Sequence, residues 1–130
     1  MKVLTLKKRK DFIRAANGYK VATNGLVLQA AFSLCKKTSE NCFVGYTATK
    51  KIGKAVVRSF AKRRLREIAR KILQQNGIAG VSYVFIARHN TTTLNFAYMM
   101  KKAEAALDEI NNQILADKRK NVEKDDDPDD

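Results

Sequence analysis

One stretch of the chain, from about Lys54 to Gln75, constrains the fold more than any other. Val57, Ala61, Leu65, Ile68 and Ile72 recur there at steps of four, four, three and four. That period puts the apolar side chains on one stripe of a helix, and such a stripe has to be buried against a sheet or other helices. The same stretch is heavily charged. Residues 50–71 hold ten Lys or Arg against Glu67 alone, a net +9 in 22 residues. Arg58, Lys62, Arg66 and Arg70 follow one another every four residues, one position on from the apolar stripe. Successive members of this basic ridge advance about 6 Å along the axis, similar to the phosphate repeat of a nucleic-acid backbone.

Most charged helix faces are simply solvated, and they normally alternate signs at i,i+4. Here the acidic partners are missing, and like charges at that spacing destabilise a helix. An external polyanion is the expected compensation. Thr49-Lys50-Lys51-Ile52-Gly53-Lys54 leads into the helix, where free N–H groups favour anions and Gly53 permits close approach. The spacing is not that of a nucleotide-binding P-loop.

The rest of the chain supplies the surface that the helix needs. Leu26 to Phe32 is an apolar run entered from the Asn24-Gly25 turn, and Cys42 to Ala48 is a second strand, with Lys36 to Asn41 as a hairpin loop between them. Val81 to Ala87 is apolar almost throughout, as expected of a central strand buried on both faces. Asp11 to Ala16 forms a short helix after a basic leader. Asn95 to about Asp117 forms a last one, with Phe96, Met99, Met100, Ala103, Leu107, Ile110 and Ile114 inward. The order is helix, two or three strands, helix, strand, helix: an α+β domain over 1–116. Residues 117–130 lack apolar content and are expected to be a disordered, acidic tail.

Charge and composition narrow the function. Residues 1–116 carry 22 basic and 6 acidic side chains, so the folded body stands at +16 in a chain of +13 overall. Such a body calls for an anionic partner, nucleic acid first. No window is apolar enough to span a membrane, and the N-terminus lacks the apolar core of a secretory signal, so a cytoplasmic protein is expected. Cys35 and Cys42, with His89 as the single histidine, cannot build a structural zinc site and read as reduced thiols, close together if the hairpin forms. A nuclease site in the polypeptide would need clustered carboxylates for metal ions. Outside the tail there are only Asp11, Glu40, Glu67, Glu104, Asp108 and Glu109. No nucleophile–base set is evident, so no catalytic residue, tightly bound metal or small-molecule substrate is assigned.

Lys50-Lys51-Ile52-Gly53-Lys54-Ala55-Val56-Val57-Arg58, followed by Lys62-Arg63-Arg64-Leu65-Arg66-Glu67, resembles the signature of the bacterial ribonuclease P protein subunit. Leu6 to Phe12 resembles that family's opening and Phe85-Ile86-Ala87-Arg88 its last strand, so the resemblance covers roughly residues 4–115. It implies a compact α-β-β-β-α-β-α sandwich with one sheet and a left-handed βαβ crossover, like a domain of a small-subunit ribosomal protein. It also implies a partner, the catalytic RNA of ribonuclease P. That RNA removes the 5′ leader of precursor tRNA with Mg²⁺, which is held mainly by RNA and substrate.

Carried onto this sequence, Lys50, Lys51, Gly53, Lys54, Arg58, Lys62, Arg63 and Arg66 are expected to contact the RNA, with Arg70 continuing the ridge. Phe12 matches an aromatic lining a leader-binding cleft between the first helix and the sheet; ordinary core packing accounts for it equally well. Gln29 and Tyr46 lie on the cleft strands, and Arg9, Lys10 and Arg88 flank them. Two departures stand out. The family's Arg-Asn-Arg is Arg58-Ser59-Phe60, leaving Phe60 either to stack or to pack inward, and a second cleft aromatic is replaced by Ala15 or Ala16. The other function class compatible with these residues is a ribosomal or nucleoid protein that binds RNA or DNA with no processing role.

Overall fold

The computed structural model describes residues 1–32 and 40–125, with side chains as far as Lys118. The elements run β1 (Val3–Thr5), α1 (Arg9–Ala16), β2 (Tyr19–Thr23), β3 (Leu26–Phe32), β4 (Cys42–Thr47), a 3₁₀ turn (Lys50–Ile52), α2 (Ala55–Asn76), β5 (Val81–Ala87) and α3 (Phe96–Asp125). The strands make one mixed sheet in the order β1-β4-β5-β3-β2. β5 is central, parallel to β4 and antiparallel to β3, which explains why it is apolar on both sides. Cys35 and most of the expected hairpin loop fall outside the described residues.

The sheet separates two cores. Alternate residues of the inner strands (Leu26, Leu28 and Ala30; Tyr83, Phe85 and Ala87) meet Leu65, Ile68 and Ile72 of α2 and Met99, Leu107 and Ile110 of α3. On the other face Val84 packs with Leu6 and Ala15, joined by Phe12, Phe43 and Ile86. A buried polar link ties the α2 end to both layers of the larger core. The Tyr83 hydroxyl donates to Asn111 Oδ1 (2.7 Å) and accepts from the Ile78 N–H (3.0 Å), while Asn111 Nδ2 donates to the Asn76 carbonyl (2.7 Å).

Three features differ from the sequence-based expectations. The basic leader contains β1, which pairs parallel with β4 at the sheet edge, with Val3 opposite Cys42 and Thr5 opposite Val44. Val57 belongs by period to the buried stripe but is 37 % exposed, because it lies beside Gly53 at the turn into α2 rather than over the sheet. The last helix does not end near Asp117. It runs to Asp125, since Lys, Arg and Glu are good helix formers in their own right. Among the described residues Ile114 is the last that is buried, and the Tyr19 hydroxyl donates to the Asp117 carboxylate (2.6 Å) where the helix passes β2.

Candidate nucleic-acid interface

The 3₁₀ turn and the start of α2 gather the first group of cations. Gly53 adopts φ 149°, a conformation that residues with a Cβ rarely reach, and so bends the chain sharply into the helix. Lys50, Lys51 and Lys54 surround this bend and are all exposed. No side chain caps the α2 N-terminus, so its first N–H groups point outward among lysines. Further along, Arg58 and Lys62 are half-buried and Arg63, Arg66 and Arg70 exposed. Among the described residues none of these cations is paired with a carboxylate, and the Arg58 Nε is buried with no protein acceptor.

One arginine of the run is different. Arg64 donates from Nη1 to the Thr91 carbonyl and from Nη2 to the Leu94 carbonyl, both at 2.8 Å, and lies 5.6 Å from the Phe96 ring centre. It fastens the loop before α3 and is unavailable to a partner. Phe60 does not pack inward. It is 40 % exposed, with the Arg63 and Arg64 guanidinium groups 5.4 and 5.7 Å from its ring centre.

On the opposite face, α1 covers only part of the sheet. Lys20, Gln29, Val84 and Gly45 form a row across four strands, and the Phe12 ring rests on Gly45 at one end of it. A second row, Ala22, Val27, Ile86 and Thr47, continues the half-buried surface. Arg88 follows Ile86 by two residues and therefore projects from the same side, its Nη1 donating to the Thr23 carbonyl at 3.1 Å. Arg9 and Lys10 are exposed on α1. Phe12, Gln29 and Arg88 thus share a face, with exposed Lys20 a further member that no local signal singles out.

Tyr46 does not join them. Strand alternation sends it, with Val44, to the α2 side, where Arg66 sits 5.6 Å from its ring centre and Phe85 packs against it at 6.4 Å. Its hydroxyl pKa is raised by burial, an effect opposed by the nearby Arg66 and Arg70 charges. Among the described residues, no three His, Cys, Asp or Glu side chains come together as a metal site, and no helix is long and apolar enough to cross a membrane.

A basic helix entered through Lys-Lys-Ile-Gly-Lys and packed on this sheet agrees with the comparisons to known proteins. Residues 1–111 match the family model described as Ribonuclease P. The chain belongs to the ribonuclease P protein family. The ribonuclease P protein component of Gluconacetobacter diazotrophicus is 43 % identical over 96 residues, which is 73 % of this chain and 80 % of that one. That of Caulobacter vibrioides is 39 % identical over 109 residues, 82 % of this chain and 70 % of the relative. The Staphylococcus aureus RNase P protein superposes with a TM-score of 0.65 at 27 % identity, covering 80 % of this chain and 92 % of that one. Membership gives the chain the role of protein component of ribonuclease P, an endoribonuclease of tRNA processing.

Proposed function

We propose that the protein binds the catalytic RNA of ribonuclease P in the cytoplasm, one-to-one, and helps it to hold precursor tRNA. The observation that carries this reading is the row of cations along α2 and the turn before it, which have no carboxylate partner among the described residues. Lys50, Lys51, Lys54, Arg58, Lys62, Arg63, Arg66 and Arg70 meet phosphates of the RNA, and Gly53 lets the backbone approach them. The cleft beside α1 takes the single-stranded 5′ leader, with Phe12 as a stacking surface and Gln29, Lys20 and Arg88 along the strand path. Stacking on an aromatic ring tolerates any base, as leaders of varied sequence require. Hydrolysis belongs to the RNA, with Mg²⁺ held by RNA and substrate.

The test is the Phe12→Ala protein assembled with catalytic RNA, titrated with precursor tRNA and with mature tRNA. Precursor affinity is expected to fall by about 1–3 kcal/mol with mature tRNA unaffected. Equal losses for both would remove the leader from the α1 face.

A further inference from the structure

The α2 side of the sheet carries a cleft beneath the last two cations of the basic ridge, and the ridge alone does not account for its floor. It has a volume of about 470 Å³ and lies where α2 crosses the β1–β4 edge. Val3, Val44 and the Tyr46 ring make a mostly apolar floor edged by Thr5, and Arg66, Arg70 and Gln74 stand along the α2 side. No carboxylate among the described residues lines it. Its size falls within the roughly 300–1,000 Å³ of small-ligand sites. The Tyr46 ring holds the Arg66 guanidinium over itself, and Arg70, one helical turn on, is exposed and unpaired among the described residues.

An apolar floor beneath two guanidinium groups matches one ligand chemistry, a nucleotide: a flat base and sugar below, a phosphate at the rim. Guanidinium groups bind phosphate with paired N–H donors, so two of them one turn apart specify an anion rather than a general polar group. We propose that this cleft receives an unpaired nucleotide of the catalytic RNA, with its phosphate on Arg66 and Arg70 and its base against the Val3–Val44–Tyr46 floor. The proposal rests on the RNA-partner reading above and gives the protein a second single-stranded contact, on the sheet face opposite Phe12. Position 46 thereby becomes a residue of RNA anchoring instead of leader binding.

The chain has no tryptophan, so Tyr46→Trp installs a single fluorescent reporter in the cleft. Titrating this full-length variant with catalytic RNA, while following filter retention in parallel, is expected to quench the tryptophan as the RNA is retained. Adenosine monophosphate is expected to need a far higher concentration for the same quench. Retention without any spectral change would overturn the cleft assignment and leave the RNA partner standing. Absence of retention would defeat both. Quenching by the mononucleotide at the RNA's own midpoint would mark a free-nucleotide site and equally overturn the proposal. If Tyr46→Trp does not fold, the otherwise unchanged chain decides: Arg70→Gln should weaken retention on the order of tenfold more than Arg63→Gln, an equal charge loss at an exposed arginine of α2 that does not line the cleft. Equal losses from the two would overturn it.

Discussion

The Phe12 ring occupies the volume that a side chain on residue 45 would need; a methyl group there would overlap Cε1 and Cζ of the ring. Gly45 is thus what lets the Phe12 ring reach across to β4, while α1 itself lies over β3 and β5. Gly45→Ala must push the ring away or shift the helix, and overpacking of this kind costs about 1–3 kcal/mol. Urea unfolding should show that loss, and the variant should also lose precursor-tRNA affinity without losing mature-tRNA affinity. A fully stable Gly45→Ala protein would show that Phe12 is not seated there.

Arg58 and Lys62 are adjacent members of the basic ridge without carboxylate partners among the described residues. Replacing both with Ala removes about two phosphate contacts. The slope of log K against log salt for catalytic-RNA binding should then become shallower by about 1.5–2. Filter-binding titrations over a salt series measure this, and an unchanged slope would show that the ridge does not face the RNA.

Arg64 differs from its neighbours, since both its donors are committed to the Thr91 and Leu94 carbonyls. Arg64→Lys keeps the charge but loses the planar fork that reaches two acceptors. Stability should fall by about 1.5–3 kcal/mol while the salt slope of RNA binding stays that of the parent. A stable variant with weakened RNA binding would reverse this assignment.

Besides Tyr46, three acids hold their protons more tightly in the fold. Burial pushes the Cys42 thiol from 9.0 up to about 11. Burial, followed by the hydrogen bond to Asp117, pushes Tyr19 from 10.0 up to about 12, and burial also raises Tyr83. Each favours the folded state fully below its unfolded pKa and loses that advantage as pH rises towards its folded one. Urea midpoints should therefore decline as pH rises from 9 towards 12, and less steeply in Cys42→Ala or Tyr19→Phe. A midpoint constant through this window would contradict the placement of these groups.

Legibility followed the strength of local signals. β3, α2 and β5 were readable because apolar periods and Gly-marked turns decide them within the segment itself. β1 was not, since three residues in a basic leader become a strand only by pairing with the edge of β4. The basic ridge was visible as a spacing, yet nothing local distinguishes Arg64 from Arg63. Only the loop arriving from residues 88–94 makes one structural and leaves the other exposed. Strand membership alone puts Tyr46 beside Gln29 at the cleft, whereas side-chain alternation along Cys42, Val44 and Tyr46 turns it to the α2 side. α3 runs past its predicted end because Lys, Arg and Glu are good helix formers, so the helix does not stop where its apolar pattern does.

The most direct test is precursor-tRNA cleavage at low Mg²⁺ with catalytic RNA alone, this protein alone, and the two together. Cleavage only in the mixture, at the correct mature 5′ end, is the predicted result. Cleavage by the protein alone would place a catalytic site in the polypeptide, and no cleavage by the mixture would contradict its role as the partner of that RNA.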